Sequence, residues 1–118
     1  MKILDLSLTY HWYDEIAAGN KPEEYRADTP FYKSRFMSGY NPRSPICVNP
    51  CKDCAFFQSK ECHIIYYDAI RFHRGQASRT TMLVEWKGLS YDRGNPIWGA
   101  PDHSTWIIKL GNKIQMED

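Results

Sequence analysis

The sequence predicts an α+β chain, mainly β: a small, partly open barrel of five or six strands with two short helices, folded as one domain over residues 1–118. Three observations carry this. Several short runs alternate apolar and polar residues, as half-buried strands do. Two segments with helical spacing each follow a threonine able to cap a helix start. And 118 residues with 42% hydrophobic and 14% aromatic content suffice for a real core and exclude disorder. Short strands with few helices fit a small barrel carrying helical plugs.

The elements follow in order. In Ile3 to Thr9, Leu4, Leu6 and Leu8 share one face and Asp5, Ser7 and Thr9 the other. Thr9 then starts a helix of about ten residues, whose Trp12, Tyr13, Ile16 and Ala17 recur at helical spacing to cover the barrel. Gly19 suits the left-handed position that ends a helix. Pro22 turns the chain into a strand, where Glu24 and Arg26, two apart, share a face. Asp28-Thr29-Pro30 is a second helix start; Phe31 to Met37 forms that helix, with Lys33 and Arg35 on its solvated face. Turn signals fill Gly39 to Pro45. Ile64 to His73 reads as one strand, followed by a loop with Arg74, Gly75 and Arg79. Thr80 to Trp86 is a strand with Met82, Val84 and Trp86 on one face and Thr81, Leu83 and Glu85 on the other. Gly88 to Pro101 reads as loop, Thr105 to Leu110 as a strand and Lys113 to Met116 as a short last strand.

Composition narrows the functions. A formal net charge of +1 argues against a dedicated duplex binder and leaves room for a local basic groove. No apolar run reaches membrane-spanning length and the amino end lacks a secretory pattern, so a cytoplasmic protein with no membrane partner is expected. The cysteines Cys47, Cys51, Cys54 and Cys62 are spaced C-x3-C-x2-C-x7-C. Four thiolates close a tetrahedral shell around Zn²⁺, and such a metal would staple a loop with little core of its own. His63 is an alternative fourth ligand to Cys62; an iron–sulfur cluster, disulfides and free thiols are the competing readings.

The densest chemistry lies in Gly19-Asn-Lys-Pro-Glu-Glu-Tyr-Arg26, spaced G-x-K-x-x-E-x-R. A carboxylate between two cations stays ionised, and the set can hold a phosphate or a base edge. Arg71, Arg74, Arg79, Lys87 and Arg93 can extend it into a modest basic groove, and Tyr25, Tyr67, Tyr91 and Trp98 offer stacking surfaces. An ordinary exposed strand with surface ion pairs is the structural alternative.

After a strand and a helix, this motif resembles the signature of the ASCH family, the activating-signal-cointegrator homology domains with a PUA-like β-barrel. The segments 81–88, 94–101 and 106–111 look like later elements of small bacterial and phage members. The resemblance covers residues 1–37 and 64–116, which makes the cysteine-bearing stretch 38–63 an insertion. It implies recognition of RNA or a modified nucleotide in a cleft containing Lys21, Glu24 and Arg26, with Glu85 as the downstream partner; among the charges and rings above, Tyr25, Arg71 and Trp98 are the further candidate ligand contacts. Glu85 reads equally well as an outward charge on its strand. The resemblance also admits a small hydrolase, either an amidohydrolase or a ribonuclease, using Lys21, Glu24 and Glu85. Here Glu24 stands where the amidohydrolases place a threonine, so their hydroxyl is missing. A protein-interaction module on the same barrel is the third reading.

Overall fold

The alternation of Leu4, Leu6 and Leu8 becomes the first strand of the computed structural model, which describes residues 1–38, 63–76 and 78–117. The strands are β1 (Ile3–Leu8), β2 (Glu23–Arg26), β3 (Met37–Ser38), β4 (His63–Ile64), β5 (Ala69–Arg74), β6 (Thr81–Asp92) and β7 (Thr105–Glu117). The helices are α1 (Tyr10–Ala17) and α2 (Pro30–Phe36), with a 3-10 turn at Pro96–Trp98. The class is α+β and mainly β, as the sequence predicts. Five strands form one sheet in the order β1-β5-β6-β7-β2, and β3 pairs with β4 in a second, small sheet. The chain divides into two compact units. One comprises Met1–Glu24, Tyr67–Gly88 and Ile108–Asp118; the other comprises Tyr25–Tyr66 and Leu89–Ile107.

The first unit is built on a parallel pair flanked by an antiparallel one. Leu4 lies opposite Ile70 and Ile70 opposite Val84; Leu6 lies opposite Phe72 and Phe72 opposite Met82. These two apolar rows cross three strands on one face, and all six side chains are buried. Helix α1 adds Tyr13 and Ile16 to the same core. Burying each such side chain contributes roughly 1.5–3 kcal/mol, which explains why the β1 pattern is so readable. The opposite face keeps its charges: Asp5 sits between Arg71, at 3.5 Å, and the His73 Nε2, at 2.8 Å.

The second unit packs α2 and the β3–β4 ladder around aromatic rings. Phe36 and Tyr91 both lie against Trp106, with ring centres 5.5 and 5.2 Å away. Thr29 caps α2 by accepting the Tyr32 N–H at 3.3 Å, with Pro30 at the first helical position.

Several elements depart from the sequence reading. Helix α1 is eight residues rather than about ten, and Thr9 stands at its N-cap without a side-chain cap bond. The single strand expected over 64–73 is two strands; Asp68 leaves the ladder to bond the Lys2 backbone in both directions. Strand β6 continues through Asp92 into the stretch read as loop, because Tyr91 is buried against Trp106. The last two strands are one: Gly111-Asn112 resembles a turn in sequence, yet the Asn112 N–H is satisfied by the Glu85 carboxylate and the strand runs on.

Lys33 is the main correction. Arg35 is exposed and lies over the Phe31 ring, but Lys33 is only 1% exposed. Lys33 shares a helix face with Phe36, one turn away, so packing α2 carries both inward. Its charge is matched by Asp28 at 3.3 Å, which also accepts the Trp106 indole N–H at 3.2 Å. Burial and the neighbouring Asp28 push the Tyr91 hydroxyl above the usual tyrosine range. Cys47, Cys51, Cys54 and Cys62 lie outside the described residues, as does nearly all of the stretch 38–63.

Candidate functional site

The site forms where α1 ends. The Ala18, Gly19 and Asn20 N–H groups bond back to Asp14, Ile16 and Glu15, closing the last turn. Gly19 holds φ at 82°, the left-handed conformation the sequence assigns to it. That turn folds Lys21 back against the helix it has just left. The Lys21 Nζ donates to the Glu23 carbonyl at 2.7 Å, lies 3.4 Å from the Glu24 carboxylate and sits 4.9 Å from the centre of the Trp12 ring. The Lys21 side chain is 1% exposed and that of Glu24 8%. Trp12 is half-buried, so one ring serves both as cover for the core and as a cation–π partner.

Lys21 forms one wall of a cleft of about 320 Å³. Ala17, Ala18 and Gly19 line its helix side; Ile16, Pro22, Val84 and Leu110 give it an apolar surface. Asn112 and Lys113 line it from β7. Lys113 reaches α1 directly, its Nζ donating to the Ala17 carbonyl at 3.3 Å. All of these residues belong to the first unit. The volume falls at the small end of ligand pockets, and the lining is more polar than their usual make-up.

The residues singled out by sequence separate accordingly. Lys21 and Glu24 come together. Arg71 is tied to Asp5 on the charged face of β1 and β5, opposite the face that α1 covers. Glu85 does not line the cleft: it alternates with Val84, which does. Its carboxylate accepts the Asn112 N–H at 2.9 Å and faces the Lys87 Nζ at 3.5 Å. These two partners, the N–H first, hold Glu85 below the usual carboxylate range. Tyr25, Arg26 and Trp98 belong to the second unit. There the Tyr25 hydroxyl accepts the Asn95 N–H at 3.0 Å, and Arg26 donates to the Tyr32 hydroxyl at 2.8 Å. Trp98 closes the 3-10 turn, started by the Asn95 side chain and ended by a left-handed Gly99.

Lys113 and Asn112 line the cleft although the sequence leaves Asn112 between two strands and marks Lys113 only as the start of a short last strand. Asp14 and Arg74 form a bidentate pair at 3.0 Å that lowers the Asp14 carboxyl and raises the Arg74 guanidinium, chiefly through that hydrogen bond. Among the described residues no group of three or more His, Cys, Asp or Glu side chains is arranged to hold a metal ion, and no helix is long and apolar enough to cross a membrane.

The fold and site therefore define a mainly β domain with a small, lysine-walled cleft. Comparison of the chain with protein-family models, curated proteins and solved structures finds no match.

Proposed function

We propose that the cleft beside α1 recognises a single nucleoside unit, free or within RNA. The observation that carries this reading is the cleft of about 320 Å³ beside the buried Lys21, with a lining that is part apolar and part polar. The side chains of Ile16, Pro22, Val84 and Leu110 suit a base face, and the exposed Asn112 suits its edge. The resemblance of G-x-K-x-x-E-x-R to the ASCH signature points to the same ligand class. Binding is favoured over hydrolysis by the lining itself. It offers no hydroxyl, thiol or imidazole side chain among the described residues, and Glu85 is held elsewhere.

Ala18→Trp is the test. Ala18 is exposed, right-handed in backbone and at the cleft edge, so a large side chain fills the cleft without backbone strain. Calorimetric titration with the four common nucleosides and with short single-stranded RNA should give saturable binding that Ala18→Trp removes at unchanged melting temperature. Binding that persists in the variant, or is absent from the wild type for every ligand, refutes the proposal.

A further inference from the structure

Resting on the nucleoside reading, we infer that Lys113 reads a phosphate at the mouth of the cleft, so that the preferred ligand is a phosphorylated nucleoside rather than a bare one. The two lysines that line the cleft differ in what holds them. Lys21 is built into the wall by the Glu23 carbonyl, the Glu24 carboxylate and the Trp12 ring, and its side chain is almost fully buried. Lys113 is exposed and reaches from β7 to the Ala17 carbonyl with one 3.3 Å bond among the described residues. That carbonyl is one of the last four of α1, which have no partner within the helix and carry its partial negative charge. A lysine there is favourable, but the bond is long, to a neutral acceptor and open to water.

A phosphate is a better partner. It offers several charged oxygens, and hydrogen bonds between ionised groups are shorter and roughly twice as strong as neutral ones. Exchanging the Ala17 carbonyl for a phosphate oxygen leaves the carbonyl to water at the helix end, where such groups are ordinarily solvated. The lining contains Lys21 and Lys113 and no carboxylate among the described residues; beside it, Glu24 is paired with Lys21, and Glu85, which accepts the Asn112 N–H, faces Lys87. The apolar side chains and Asn112 then hold the base and sugar, and Lys113 holds the phosphate where the cleft opens to solvent.

Lys113→Met tests this, since an exposed lysine can be replaced without disturbing the core. Affinities for adenosine, cytidine, guanosine and uridine are compared with those for their 5′- and 3′-monophosphates, in wild type and variant, at low and at physiological salt. A trinucleotide with a terminal phosphate, beside the same trinucleotide without one, distinguishes a chain end from a free nucleotide. The expected result is a phosphate preference of about three- to tenfold at low salt that shrinks as salt rises. Lys113→Met should remove it while leaving nucleoside affinity unchanged. Equal affinity for nucleoside and monophosphate, or a preference that survives Lys113→Met, overturns the role of Lys113 and leaves the nucleoside reading standing. If neither nucleosides nor nucleotides bind, both fall.

Discussion

Replacing Lys21 alone should damage the fold before it reports on binding. The Lys21–Glu24 pair is separated by 3.4 Å with side chains 1% and 8% exposed. At an effective dielectric constant of about 20 that separation corresponds to an attraction of about 5 kcal/mol. Desolvating the two ions costs several kcal/mol each, so the intact pair adds little net stability. Removing one partner keeps the cost of the other. Lys21→Met takes from the buried Glu24 carboxylate the cation 3.4 Å away, and the expected loss is about 3–5 kcal/mol. Glu24→Gln should cost less, about 2–3 kcal/mol, because the Lys21 ammonium retains the Glu23 carbonyl and the Trp12 ring. The double variant removes both ions and should return to within about 1.5 kcal/mol of wild type. Urea unfolding followed by tryptophan fluorescence measures all four proteins. The cycle should give a coupling energy of at least about 2 kcal/mol. Additive single losses, with coupling below about 0.5 kcal/mol, would show that the two charges do not depend on each other and that the cleft wall is described wrongly.

Glu85 supplies a pH test. Its carboxyl is held below the ordinary glutamate value by the Asn112 N–H and by Lys87, so the unfolded chain takes up this proton at higher pH than the folded one. The stabilisation from Glu85 is therefore complete above the ordinary glutamate value and is lost as pH falls through that value and then through the lowered one. Wild type and Glu85→Gln should differ in urea midpoint near pH 7 and converge near pH 3; a gap unchanged across that range contradicts the assignment. The cysteine spacing makes a separate prediction from sequence alone. The purified protein should contain one zinc per chain, measured by plasma mass spectrometry, and release it when Cys47, Cys51, Cys54 and Cys62 are titrated with a thiol reagent. Four freely reactive thiols with no zinc, or the visible absorption of an iron–sulfur cluster, rejects it.

What could be read in the sequence was local. Leu4, Leu6 and Leu8 declare their strand because one face is buried and the other wet. Gly19 and Pro22 declare their turn because backbone geometry leaves few alternatives, and the pairing of Lys21 with Glu24 follows within that same short stretch. The sequence misreads Lys33 because a lysine between Tyr32 and Ser34 on a seven-residue helix carries no local mark of burial. Its fate depends on Asp28 accepting a bond from Trp106, a residue 78 positions away from that aspartate. Gly111-Asn112 was misread for a related reason. A turn-forming dipeptide looks the same in a strand until the carboxylate that satisfies its N–H, here Glu85, is known.

The same distinction separates the two lysines of the cleft. Lys21 is held by residues within nine positions of it, namely Trp12, Glu23 and Glu24, so the sequence could mark it as chemically unusual. Lys113 gains its meaning from the Ala17 carbonyl, 96 positions earlier, and from nothing adjacent to it. A ligand site assembled from a helix end and a late strand has a half that is written locally and a half that exists only once the sheet forms. The local half is the one most tightly built into the wall. The distant half is exposed, held by one bond among the described residues and able to exchange its partner, which is why the specificity of this cleft should respond to Lys113 more than to the motif that first draws attention to it.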